Sequence, residues 1–243
     1  MTTSNEQIVN ISRYFREVNG RRKFIAKILA DELMAIHKFK TMVDNEEIFV
    51  YIDGIYTNMG DKIIKFEVER RLLEEATILR TNEVIAHIKR STFMDRAKFN
   101  KNKNLICMKN GVFDLEKMTL LQHSADFLLT NKITVKYDPN AKCEEFLKFI
   151  HQILEPEDIQ VIFEMFGYFL WKDYQIQVAF MFYGDGDNGK STLMNVMVSF
   201  LGSENVSSIP LQELDRNRFA ASMLFGKYAN ICADISSLSI TES

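Results

Sequence analysis

Eight consecutive residues, Gly184-Asp185-Gly186-Asp187-Asn188-Gly189-Lys190-Ser191, have the types and spacing of a phosphate cradle, G-x-x-x-x-G-K-S/T. Glycines let backbone N–H groups turn toward an anion, and a helix starting there adds the partial positive charge of its N-terminus. Lys190 would reach the β- and γ-phosphates of a nucleotide, and Ser191 would set its hydroxyl on Mg²⁺. The nucleotide-binding set is therefore Gly184, Asp185, Gly186, Asp187, Asn188, Gly189, Lys190, Ser191 and Thr192, with ATP and Mg²⁺ as the expected cofactors. Asp185 and Asp187 fit such a loop only if their carboxylates point outward and the backbone does the binding.

A cradle of this kind needs a strand in front and a helix behind. Val178 to Tyr183 is a continuous apolar run, the signature of a strand buried on both faces. From Thr192 to Leu201, Leu193, Val196, Met197 and Phe200 recur at helical spacing, and Gly202 is a C-terminal stop. P-loop ATPases also hold their metal with an acid at the end of a neighbouring strand. Tyr228 to Ala233 reads as a strand of small residues ending in Asp234, so Asp234 joins Ser191 as the metal pair and Lys190 as the catalytic pair. No second acid adjoins Asp234, and no water-activating residue is assigned.

Upstream, residues 5–40 read as two helices punctuated by Gly20 and the Arg21-Arg22-Lys23 cluster. Residues 47–58 read as a hairpin around Asp53-Gly54, a pair that tolerates the positive φ angles of a tight turn. A helical pattern runs from Asp61 with Ile64, Val68, Leu72, Ala76 and Leu79 on one face, and breaks at Thr81-Asn82 before a further helix. Short strands follow over 104–138, with Asn110-Gly111 as a turn. Lys142 to Leu154 forms an amphipathic helix, and Pro156 suits the first turn of the next one. These elements predict an α+β N-terminal module followed by a partial α/β P-loop ATPase domain of AAA+-like type. The expected boundaries are 1–44 (helical segment), 45–154 (accessory module) and 155–243 (incomplete ATPase domain).

The 243 residues carry a formal charge of −3, so any nucleic-acid surface must be local rather than global. Lys89, Arg90, Arg96, Lys98, Lys101 and Lys103 cluster with Phe93 and Phe99 against one acid, Asp95, a pattern suited to tracking a DNA backbone. A second cluster, Arg13, Arg16, Arg21, Arg22, Lys23 and Lys27, reads as a solvated helix face. Cys107, Cys143 and Cys232 are too widely spaced for a disulfide framework, and His37, His87, His123 and His151 form no metal spacing. The N-terminus has neither a basic nor an apolar signal region, and no apolar run could span a bilayer, so a cytoplasmic protein with no membrane partner is expected.

The loop GDGDNGKST, with Asn188 before Gly189-Lys190, resembles the Walker A motif of superfamily 3 helicases, and the spacing to Asp234 is similar to that in phage, plasmid and poxvirus primase-helicases. Asn110-Gly111-Val112, Asp114-Leu115, His123-Ser124, Thr130, Tyr137-Asp138-Pro139 and Ala141 resemble the module that precedes the ATPase in that family, and Tyr51 to Tyr56 resembles its start. The resemblance covers roughly residues 45–243. It implies a replicative DNA helicase, assembled as a ring and usually a hexamer, that moves on single-stranded DNA using ATP and works with a primase. It also places the gene product in a host cytoplasm if viral, or on a plasmid or prophage. The family's sensor residue and arginine finger lie further on than Ser243, so a truncated ATPase is expected. A rival reading makes the chain a DNA-docking and oligomerisation module without ATPase activity of its own. A third, a P-loop kinase or signalling NTPase, fits poorly with the long helical lead-in and the lack of a lid segment.

Overall fold

The computed structural model describes residues 11–232, which divide into two compact units between Phe99 and Asn100. Both mix helices with small sheets, so the mixed α/β character expected from the sequence holds.

The first unit opens on a 3₁₀ turn, Ile11–Tyr14, and a hairpin, β1 (Phe15–Val18) with β2 (Arg21–Phe24). This corrects the helix expected there. Asn19 (φ 51°) and Gly20 (φ 71°) form the left-handed two-residue turn that suits the twist of a hairpin. Phe15 and Phe24, equidistant from it, pair across the strands. Helix α1 (Ala26–Ile36) follows, and then β3 (Phe39–Met42), β4 (Ile48–Ile52) and β5 (Ile55–Thr57). The β4–β5 turn is the expected Asp53-Gly54, both at positive φ. Helices α2 (Gly60–Leu72) and α3 (Ile78–Ser91) lead to β6 (Phe93–Met94), which lies parallel to β3 and completes the sheet order β5-β4-β3-β6.

The break between α2 and α3 falls earlier than the sequence indicates. Leu73 leaves the helix at φ 48°, and Thr77 caps α3 by accepting from the Arg80 N–H at 3.3 Å. Thr81-Asn82 is therefore inside α3, and Leu79, expected on the inner face, is 70% exposed. The core joins Leu29 and Leu33 of α1, Ile48 and Val50 of β4, Ile64 and Val68 of α2, and Val84 and Ile88 of α3.

Beneath that core lies a charged network. Glu32 accepts hydrogen bonds from Arg13 (2.7 Å), the Tyr14 hydroxyl (2.9 Å) and Arg71 Nε (3.3 Å). Arg71 also pairs with Glu67 one turn before it, and both are buried. His37 sits at the edge with its Nε2 3.7 Å from Glu67. Burial, together with Arg71 and Arg70, holds its imidazole below the ordinary value of 6.5.

In the second unit, β7 (Leu105–Met108), β8 (Gly111–Asp114) and β9 (Thr119–Leu121) form an antiparallel meander, and β10 (Lys132–Ile133) runs parallel to β7. Gly111 is the first residue of β8, where a Cβ would run into the Leu121 carbonyl; the turn itself is Lys109-Asn110. Helices α4 (Glu144–Ile153) and α5 (Pro156–Leu170, with Pro156 in its first turn) pack with α6 (Lys190–Leu201) through Ile150, Ile162, Met165, Leu193 and Met197. Two short parallel strands, β11 (Val206–Ser207) and β12 (Ala229–Asn230), flank a short helix, α7 (Leu211–Arg216).

The expected strand Val178–Tyr183 does not form. Met181 is 74% exposed and Tyr183 97% exposed, and neither β11 nor β12 pairs with this run. An apolar strand of that kind needs partners on both edges and cover on both faces; among the described residues it has neither. Only Phe182 packs against the α4–α6 core.

Two measurements test these assignments. The native state holds His37 neutral, so the unfolded chain binds its proton more readily, and stability falls as pH drops through 6.5 toward the lower folded value. In His37→Gln, the decrease in urea midpoint between about pH 7.5 and about pH 5.5 should shrink relative to the parent chain. At the start of α6, Gly189 has φ 85°, and a Cβ there would lie 2.8 Å from Ile153 Cγ2 and 3.3 Å from Phe149 Cε2. Gly189→Ala should cost on the order of 2 kcal/mol through backbone strain and displacement of Ile153, read as a lower thermal midpoint.

Candidate nucleotide site and basic surfaces

The loop before α6 is built from left-handed backbone. Gly184 (φ 155°), Asp187 (φ 58°) and Gly189 (φ 85°) turn the chain so that helix α6 begins at Lys190, two residues before the expected Thr192. The first N–H groups of a helix have no partner within it, and here they face the loop. Leu193 and Met197 are buried as expected, Val196 and Phe200 are half-buried, and Leu201 also packs inward. Gly202 (φ 87°) ends the helix by donating to the Val198 carbonyl at 2.9 Å.

Lys190 folds back over the loop. Its Nζ donates to the carbonyls of Gly184 and Asp185 and to Asn188 Oδ1, each at 2.7 Å. Among the described residues no carboxylate pairs with it; Asp185 and Asp187 are exposed. Asn188 explains why Gly184 has no side chain, since a Cβ at 184 would collide with the Asn188 amide. The arrangement holds one cation within a ring of backbone dipoles at a helix start, which is chemistry suited to an anion. Ser191 is exposed on the first turn of α6. Asp234, the expected metal carboxylate, lies outside the described residues. The strand leading to it is represented by β12, extended by Tyr228 N–H to Asn205 O and Ile231 N–H to Ser207 O, both at 2.8 Å.

One residue that the sequence did not single out ties this region together. Asn205, 2% exposed, donates from Nδ2 to the Lys132 carbonyl (2.8 Å) and the Leu201 carbonyl (2.7 Å), and its Oδ1 accepts from Asn131 (3.2 Å). It links β10, the end of α6 and the strand approaching Asp234. An Asn just after a helix-ending glycine was the available signal, although nothing local reveals its distant partners. Nearby, burial pulls the Lys172 ammonium down to about 8; it lies 5.6 Å from the Tyr228 ring centre, whose buried hydroxyl is pushed up.

The expected DNA-binding run is divided. In the first unit, Lys89 pairs with Glu46 at 3.1 Å, and Arg96 binds Asp44 through Nε (2.7 Å) and Nη2 (3.2 Å), with Glu47 3.6 Å away. These hydrogen bonds hold the Asp44 carboxyl below its ordinary value and push the Arg96 guanidinium up. Phe99 packs on Phe49 and Tyr56 and is half-buried. Arg90 and Lys98 remain exposed without ion pairs among the described residues, and Phe93 is 47% exposed. Lys101 and Lys103 are exposed in the second unit, ahead of β7.

The second cluster changes character because it is a hairpin. Alternation puts Phe15, Glu17, Arg22 and Phe24 on one face and Arg16, Val18, Arg21 and Lys23 on the other. The Asn19-Gly20 pair between two short runs was the signal that would have shown this.

Among the described residues no helix is long and apolar enough to cross a membrane. Comparison with known proteins adds to this geometry. A family of unknown function (DUF5906) matches residues 182–243, which contain the loop Gly184–Ser191. A protein of Invertebrate iridescent virus 6 named "Putative helicase 184R" is 29% identical over 121 residues, which is 45% of this chain and 12% of that protein. The chain thus spans a small part of that relative's length. The family described as D5 N terminal like matches residues 12–155, more than half of the chain, from the first hairpin to the end of α4. The chain belongs to the D5 N terminal like family.

Proposed function

We propose that the chain is part of an ATP-dependent replicative helicase of the superfamily 3, primase-associated type, with Gly184–Ser191 as its nucleotide cradle. The observation that carries this reading is Lys190, whose ammonium is held inside the loop by three oxygens and, among the described residues, by no carboxylate. An anionic phosphate is the natural replacement for those neutral oxygens, because it adds an attraction between opposite charges that a carbonyl or amide dipole lacks. The left-handed turns and the free N–H groups at the start of α6 fit the same ligand. The helicase name of the viral relative supports the reading from outside the loop.

On this reading Lys190 binds the β- and γ-phosphates, Gly184 to Gly189 present backbone N–H groups, and Thr192 lies on the same helical turn. Ser191 and Asp234 would hold Mg²⁺, which would supply positive charge against the phosphates. The assembled protein is a ring, hexameric in the family's usual form, that moves along single-stranded DNA and works with a primase. The AAA+-like arrangement requires residues 178–183 to pair in a sheet.

Lys190→Ala should weaken binding of a fluorescent ATP analogue by at least about tenfold, the loss of one charge-assisted contact. Unchanged affinity would remove the phosphate-site assignment and leave the docking-module reading. Asp234→Asn should leave nucleotide binding without metal intact and abolish the increase in affinity produced by Mg²⁺. An equal Mg²⁺ response in both proteins would show that Asp234 is not a metal ligand.

A further inference from the structure

The first hairpin is held down on one face and open on the other. On the inner face Arg22 lies 4.0 Å over the Phe15 ring and donates to Glu75 at 3.2 Å. Arg80 lies 5.1 Å from the same ring centre and 5.8 Å from that of Phe24. These contacts anchor the hairpin to the loop between α2 and α3 and to α3 itself. The outer face carries Arg16, Arg21 and Lys23 together with Val18, all exposed. It has no carboxylate of its own, since Glu17 points to the inner side. Among the described residues none of its three cations takes an ion pair, whereas Arg13, Arg22, Lys27, Lys89 and Arg96 all do.

That arrangement is unfavourable on its own. Arg16 and Lys23 are directly opposite in register, where side chains start about 5 Å apart and like charges repel. Arg21 stands one same-face step from Lys23 along β2, about 7 Å away at ordinary strand rise. An anion seated among them turns this repulsion into attraction. Repeated anions at such spacing are the phosphates of a nucleic-acid backbone. A two-stranded ribbon also has the width that a duplex groove admits. An acidic protein partner fits less well, because protein interfaces centre on apolar or aromatic anchors and Val18 is the one apolar side chain on this face.

We infer that the outer face of the β1–β2 hairpin, formed by Arg16, Arg21 and Lys23, is a sequence-independent contact for the phosphate backbone of DNA. The inference rests on the proposed function in one respect, that the chain works on DNA; it does not depend on the nucleotide loop. The contact is electrostatic, so it binds without nucleotide and weakens with salt.

The test is anisotropy of labelled single-stranded and duplex oligonucleotides with the full chain across a salt series, in the absence of ATP. The variant Arg16→Gln/Arg21→Gln/Lys23→Gln is compared with Lys62→Gln/Lys65→Gln/Lys142→Gln, which removes the same charge from exposed sites elsewhere. The hairpin variant should bind on the order of tenfold or more weakly at moderate salt. The slope of log affinity against log salt should fall by about 2 on single strands and by nearly 3 on duplex. Arg16→Gln/Lys23→Gln, which keeps Arg21, should show about two thirds of that slope change and serves if the triple variant melts early. An unchanged slope, an equal loss in the control, or no DNA binding by the parent chain would overturn the inference. Hairpin-dependent binding of polyglutamate without DNA binding would also overturn it and point to an acidic protein. Titrating the ATP analogue into the same variants keeps the two readings apart: the hairpin can fail while nucleotide binding persists, and the reverse.

Discussion

Where α6 begins, the chain must turn through left-handed backbone and press against α4. Gly189 meets both demands because it has no side chain: its φ is 85°, and any Cβ would strike Ile153 and Phe149. The packing of the second unit follows from that contact. With α6 seated on α4, Leu193 and Met197 face Ile150, Ile162 and Met165, and the rings of Phe166 and Phe200 meet at 5.2 Å. The phosphate loop is thus supported by helices, and its position is set by a helix–helix core. At the other end of α6, Asn205 holds the helix terminus to β10 by donating to the Leu201 and Lys132 carbonyls.

The first unit solves a different problem. Its core is apolar on the α1, α2, α3 and β4 faces, yet Glu32, Glu67 and Arg71 stand beneath it. Buried charges are tolerated only when paired and hydrogen-bonded, and these satisfy one another together with Arg13 and Tyr14. The pairing uses up charges that the sequence presents as a basic surface. Lys89 and Arg96 are spent in the same way on Glu46 and Asp44, acids more than forty residues earlier. Among the described residues of the first unit, Arg90 and Lys98 stay without an ion pair, and so do Arg16, Arg21 and Lys23 on the outer side of the first hairpin, where strand alternation puts Glu17 on the opposite face.

The site and the family were legible for one physical reason: both are written in local pattern. A left-handed loop before a helix needs glycines at fixed spacing, and Gly184, Gly189 and Lys190 show it. The Asp53-Gly54 hairpin, Pro156 at the start of α5 and Gly202 at the end of α6 are likewise local, and each stands where the residues indicate. The apolar run at 178–183 was misleading because strandness depends on partners. Val178 to Tyr183 has the composition of a buried central strand, and the described residues supply nothing to pair with it.

By itself the sequence determined the elements whose geometry is stored in a few adjacent residues: the left-handed loop before α6, the tight turns, the helix ends, and the family to which residues 12–155 conform. Tertiary structure alone decided which charges are free, because an ion pair is made between residues distant along the chain. It decided that residues 15–24 are a hairpin with one basic face, since alternation assigns faces only once the turn and its Phe15–Phe24 pairing are in place. It also decided that Asn205 joins β10 to α6. Local backbone preference is encoded residue by residue, whereas the partner of a charge or a carbonyl is fixed only when the chain has packed.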